Sequence, residues 1–257
     1  MPIARRTFLG AIASVAIAVS SALTAAQDKQ APAATKPVSV TPVPRSDEGI
    51  LQRQTEVLRR VKEAKTPVPL VFIGDSITQG WEGNGKDVWA SSIAPLASAV
   101  LNIGVSGDRT EHVLWRLGQA PLDKLDARCI VLMIGTNNLG HGSSNAADTA
   151  LGVRTIVDTL VEQCPKAKIV VLGIFPRGET MNAMRGDICQ INQSLAAFAA
   201  QHPSHRVQLL DIGATFVEPD GTIKKDIMPD FLHLSKAGYQ RWADAVAPAI
   251  KSNLSAS

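Results

Sequence analysis

Five short apolar runs, residues 68–73, 99–103, 129–134, 169–174 and 207–210, carry Val, Ile and Leu with no polar alternation. Runs of that length and makeup predict strands buried on both faces, as in a parallel sheet. Successive runs start about 30 residues apart, the length of a βαβ unit. Helical spacing fills the gaps at 111–117, 146–161, 185–200 and finally 236–250. Upstream, Ile50, Leu51, Val57, Leu58 and Val61 recur at helical spacing as far as Lys65, and Thr66-Pro67 ends that helix. The pattern predicts an α/β domain built as a three-layer α/β/α sandwich, with no internal repeat and no second domain.

Composition agrees: of 257 residues, 45% are hydrophobic and 19% charged, which excludes disordered, collagenous and coiled-coil classes. A net charge of +3, nearer zero without Arg5 and Arg6, argues against nucleic acid as a partner. Residues 1–26 read as an export signal of the twin-arginine type. Arg5-Arg6 precedes fourteen uncharged residues at 10–23, and Thr24-Ala25-Ala26 offers a small-residue cleavage site. The apolar stretch is shorter than the roughly 18 residues that span a bilayer. The expected location is therefore periplasmic or secreted, with no stable membrane insertion after cleavage; an uncleaved anchor of the same topology is the alternative. Residues 27–46, rich in Pro, Ala and Thr without a period, read as an extended linker, so the folded domain is expected from Asp47 to Ser257. Cys129, Cys164 and Cys189 form no metal or redox spacing; Cys129 reads as a buried apolar residue, and pairing of Cys164 with Cys189 is left open.

Ligands of such sheets bind outside the carboxyl ends of the strands. The loops there are Gly74-Asp75-Ser76-Ile77-Thr78, Gly104-Val105-Ser106-Gly107-Asp108 and Gly135-Thr136-Asn137-Asn138. Ser76 follows a strand and opens a helix, a placement that suits a nucleophile but equally an N-cap. Asp230-Phe231-Leu232-His233 sets an acid and a histidine three residues apart, so that the carboxylate can hold one ring nitrogen and leave the other for the serine proton. Gly107 and Asn137, with the Ser76 N–H, are candidate oxyanion donors. His112, His202 and His205 have no assigned role, and His141 is placed at the mouth of the site. Asp108 and Arg109 are expected to brace the second loop by an ion pair.

Taken together, Gly74-Asp75-Ser76, Gly107, Gly135-Thr136-Asn137 and Asp230-x-x-His233 resemble the four blocks of the SGNH (GDSL) hydrolases. The resemblance extends through Ser106 to Leu117, Pro176-Arg177-Gly178-Glu179 and Asp230 to Leu234 to the platelet-activating-factor acetylhydrolase catalytic subunits. It implies a flavodoxin-like five-stranded parallel sheet, Ser76 as nucleophile, Asp230 and His233 as its partners, and Ser76, Gly107 and Asn137 as the oxyanion hole. It also implies short-chain acyl, especially acetyl, ester hydrolysis, and a homodimer. The expected activity is that of a serine esterase without metal or organic cofactor, acting on a small-molecule or saccharide ester, with a carbohydrate O-acetylesterase favoured. A lipid acetylhydrolase or lysophospholipase is the runner-up, and a non-catalytic carbohydrate-binding protein the rival from another class. Ile77, Leu139 and Leu232 are expected to limit acyl length, and Trp81 to wall a substrate groove or join the core.

Overall fold

The computed structural model describes residues 36–255; the expected export signal and residues 27–35 of the expected linker lie outside the described residues. Strands β1 (Leu70–Gly74), β2 (Val100–Asn102), β3 (Cys129–Met133), β4 (Lys168–Leu172) and β5 (Val207–Leu210) form one parallel sheet in the order β2-β1-β3-β4-β5. Leu70 lies opposite Val100 on one side and Cys129 on the other, and Ile169 lies opposite Val207. The missing alternation in the sequence has a direct cause. Val71, Ile73, Ile130 and Leu132 enter one core, while Leu70, Phe72, Val131 and Met133 enter the other, so every position in the central strands is apolar.

Helices α1 (Glu48–Lys62), α2 (Ser76–Gln79), α3 (Lys86–Val88), α4 (Thr110–Gln119), α5 (Thr136–Gly140), α6 (Ala146–Gln163), α7 (Ala183–Gln201) and α8 (Lys236–Ser255) cover both faces. Val57, Leu117, Ile156 and Ile191 bring α1, α4, α6 and α7 onto the first core, and Trp242 and Val246 bring α8 onto the second. The starts of α6 and α7 are held by asparagines: Asn145 accepts the Asp148 N–H at 2.8 Å and Asn182 accepts the Arg185 N–H at 3.1 Å. The architecture is the three-layer sandwich with flavodoxin-like strand order that the sequence and its resemblance led us to expect.

The described part of the expected linker is not an unpacked tether. Ser39 is completely buried, in a helical turn at Val38–Val40. Its carbonyl accepts the Thr110 hydroxyl at 2.8 Å, and the Arg45 guanidinium donates to the Ser106 carbonyl at 2.9 Å. Gly152 of α6 makes room for this approach, because a β-carbon there would lie 2.8 Å from the Ser39 carbonyl oxygen. The contacts run largely to main-chain atoms, which leave no hydrophobic period to read. The disulfide left open between Cys164 and Cys189 is not formed: both are free thiols, one buried and one exposed.

Candidate active site

Ser76 is the first residue of α2, and the cap of that helix is the residue before it: the Asp75 carboxylate accepts the Ile77 N–H at 2.9 Å. The Ser76 hydroxyl is thereby released from capping. It lies 2.9 Å from His233 Nε2. The other ring nitrogen, Nδ1, is 2.7 Å from Asp230 Oδ2, while Asp230 Oδ1 accepts the His233 and Leu232 N–H groups at 2.7 and 3.1 Å. Burial opposes the Asp230 charge, but these bonds outweigh it and hold the carboxyl below its ordinary value.

The acid and histidine meet because Phe231 between them adopts a left-handed backbone, φ 59°. A non-glycine residue held there costs on the order of 1–3 kcal/mol. The Gly178 N–H, reaching over from the loop after β4, grips the Phe231 carbonyl at 2.8 Å. From the same loop, the Arg177 guanidinium donates to the Thr136 carbonyl and hydroxyl, each at 3.2 Å. Arg177 and Gly178 entered the sequence reading only through resemblance; their role as braces depends on contacts more than 40 residues away in sequence and has no local signal.

The three loops are stitched to one another. The Val105 N–H donates to the Gly74 carbonyl at 3.1 Å, and Gln79 accepts the Ser106 N–H at 2.7 Å. One hydrogen of the Asn137 side-chain amide goes to the Asp108 carbonyl at 3.0 Å, leaving the second for a ligand. Gly107 has φ 72°, the left-handed turn for which glycine is suited. Among the described residues, no protein acceptor takes the Ser76 or Gly107 N–H.

Beneath the loops lies a buried polar layer that sequence reasoning missed. Asn138, fully buried, accepts the Thr110 N–H at 3.0 Å and donates to the Thr110 hydroxyl and the Glu111 carboxylate, both at 3.1 Å. The Asp108 carboxylate faces Arg116 and lies 3.5 Å from Arg45 Nη1, and Arg109 pairs with Glu111. The ion pair expected between Asp108 and Arg109 is therefore replaced by separate partners, Arg116 and Arg45 for Asp108 and Glu111 for Arg109. Burial pushes the Asp75 carboxyl up to about 7, with the neighbouring Asp108 carboxylate adding to the shift.

Two of the expected substrate contacts are corrected. Ile77 and Trp81 are each 1% exposed and present almost no surface to a ligand. A helix turns about 100° per residue, so presenting Ser76 outward sends Ile77 into the core, where its carbonyl accepts the Tyr239 hydroxyl at 2.6 Å. Trp81 packs with Tyr239 and Trp242 at ring-centroid distances of 4.6 and 4.9 Å. Leu232 is half-buried next to His233, Leu139 is buried, and His141 is exposed at the end of α5. Among the described residues, no group of three or more His, Cys, Asp or Glu side chains could hold a metal ion.

A hydroxyl, an imidazole and a carboxylate in line, at the carboxyl end of a doubly wound parallel sheet, define the kind of site that attacks esters. The chain belongs to the GDSL-like lipase/acylhydrolase family, whose model matches residues 72–241, and it is a carboxylic-ester hydrolase. Subunit alpha1 of human platelet-activating factor acetylhydrolase IB is 40% identical over 182 residues, covering 70% of this chain and 75% of that one. The chicken alpha2 subunit is 39% identical over 184 residues, 71% and 76% of the two chains. Among solved structures, the fold matches a GDSL-like lipase from Bacteroides thetaiotaomicron with a TM-score of 0.61, at 18% identity over 77% of this chain and 97% of that one. It also matches a carbohydrate acetylesterase from Sinorhizobium meliloti with a TM-score of 0.56, at 17% identity over 72% and 99%. Among the described residues, no helix is long and apolar enough to cross a membrane.

Proposed function

We propose that the protein is a serine esterase that removes short acyl groups, chiefly acetyl, from oxygen esters. The observation that carries this reading is the chain from the Ser76 hydroxyl through His233 to Asp230, with Asp75 taking over the capping duty that would otherwise occupy the serine. Ser76 Oγ attacks the acyl carbon as its proton passes to His233 Nε2, and the carbonyl π pair moves onto oxygen. The Ser76 and Gly107 N–H groups and the second Asn137 amide hydrogen receive that oxyanion; each such donor is worth about 3 kcal/mol in comparable sites. Collapse expels the alcohol, which takes the proton from His233. Water then attacks the acyl-serine, its proton passing through His233 to Ser76, and the acid leaves. Asp230 keeps the hydrogen on Nδ1 and balances the charge on the ring.

Half-buried Leu232, next to His233 in the chain, is the residue we propose to limit acyl length. For the alcohol portion we propose an acetylated carbohydrate, met outside the cytoplasm by way of the leader read in residues 1–26. A glycerolipid acetate is the second reading, favoured by the identity with relatives named as acetylhydrolases of platelet-activating factor.

The test is release of nitrophenol from acetyl and octanoyl esters by the full chain and by Ser76→Ala. The expected result is faster acetyl turnover and a loss of at least about a thousandfold in kcat in the variant. Most of the activity surviving in the variant, or a preference for the eight-carbon ester, would overturn the proposal.

A further inference from the structure

Next to Gly107 lies a polar cleft of about 290 Å³, bounded by Pro44 and Arg45, by Arg109 and His112 at the start of α4, and by His141. His112 Nδ1 accepts the Arg109 backbone N–H at 3.0 Å. A ring nitrogen that accepts carries no hydrogen, so the His112 hydrogen sits on Nε2. That Nε2 lies 3.3 Å from Arg109 Nη2, which can only donate. Two donors therefore face each other with no acceptor between them. His112 is 4% exposed, and a buried donor left unmet is costly.

The ring cannot resolve the conflict by taking a second proton, because Nδ1 is committed to the Arg109 N–H. Burial and the cations Arg109, Arg45 and Arg116 hold its pKa down to about 3, against the weak opposing pull of Asp47. Arg109 Nε is engaged by the Glu111 carboxylate, which leaves the outer edge of its guanidinium toward the cleft. Across the cleft, Arg45 is paired with Asp47 at 2.9 Å, so the acid on that wall is already neutralised. The N-terminal end of the ten-residue helix α4 adds positive potential at the same place.

We infer that this cleft is a subsite for an anionic oxygen group, a phosphate or a carboxylate, carried by the alcohol portion of the ester and held between the Arg109 guanidinium and the His112 Nε2–H. The inference rests on the esterase reading for its link to substrate: Gly107 is both a proposed oxyanion donor and a wall of the cleft, and it assigns the alcohol portion of an ester bound at Ser76 to the cleft side of Gly107.

The binding arm of the test does not depend on turnover. Inorganic phosphate, glucuronate and neutral glucose are titrated separately, at fixed ionic strength, into the wild type and the Ser76→Ala variant, following the His112 imidazole by nitrogen-detected NMR. The expected result is a saturable shift with one or both anions, none with glucose, and binding at least about tenfold weaker in Arg109→Gln, the loss of one charge-assisted hydrogen bond. The anion that binds more tightly selects the ester: acetylated glucose 6-phosphate or acetylated glucuronate, each compared with acetylated glucose. The wild type should favour the anionic ester at least about tenfold in kcat/KM, and Arg109→Gln should lose that ratio. No saturable shift in the wild type, equal binding in Arg109→Gln, or equal kcat/KM for anionic and neutral esters overturns the inference. Anion binding without hydrolysis of any ester, nitrophenyl acetate included, would instead overturn the esterase reading.

Discussion

Asp75 caps α2 with one carboxyl oxygen, and its other oxygen is buried with no protein partner. The folded protein therefore favours the neutral acid, moving its pKa from 3.8 to about 7. Between those values the unfolded chain has released the proton that the folded chain retains. Stability from this group is accordingly complete below pH 4 and lost as pH rises toward 7, by up to about 1.4 kcal/mol per pH unit. Asp75→Asn keeps the capping oxygen and removes the titration. Its stability relative to wild type should thus rise between pH 4.5 and pH 7.5, as measured by urea unfolding midpoints; parallel profiles for the two proteins would contradict this account. At the same scale, Ser76 was legible as a candidate but ambiguous between cap and nucleophile. The tertiary structure gives the cap to the Asp75 side chain, which leaves the Ser76 hydroxyl available for the proposed attack. Ile77 was misread, and Trp81 was left open between groove and core, because a residue's sequence neighbours say nothing about which side of a helix faces the site.

The second loop, α4 and α5 act as one unit, and Asn138 is the joint between them. It satisfies the first amide of α4 and the carboxylate of Glu111 together. Asn138→Ala leaves both groups buried with fewer partners, at a cost of about 1–3 kcal/mol for a desolvated polar group. Because Asn137 and Gly107 lie on the loops that Asn138 joins, kcat for acetyl esters should fall as well, with KM much less affected. Thermal unfolding and steady-state kinetics read these two effects separately; unchanged values of both would remove Asn138 from this role. The elements themselves were readable, since runs of Val, Ile and Leu at βαβ spacing have few other stable arrangements. The polar bonding between elements was not, because Asn and Glu are as common on solvated surfaces as in such joints.

Across the whole molecule, the segment before α1 is part of the folded unit. Ser39, Val43 and Arg45 tie it to Thr110, Glu111 and Ser106, at the base of the second loop. A chain beginning at Asp47 should therefore melt several degrees below one beginning at Lys36, since a loss of 1–2 kcal/mol shifts Tm by about 2–4 °C per kcal/mol at this size. It should also turn over acetyl esters more slowly; equal melting temperatures would show that the segment carries no stability. The sequence alone determined the layered α/β/α architecture, the sites of the functional loops and the residue types able to attack an ester, because buried strands, glycine turns and the acid–histidine spacing are local patterns. The three-dimensional fold alone decided which side chains meet. It paired Ser76 with His233 across 157 positions, gave Asp75 the capping role, turned Trp81 into the core, and set two hydrogen-bond donors face to face beside Gly107. Those outcomes depend on close packing and on the pairing of buried polar groups, and both are properties of segments far apart in the chain.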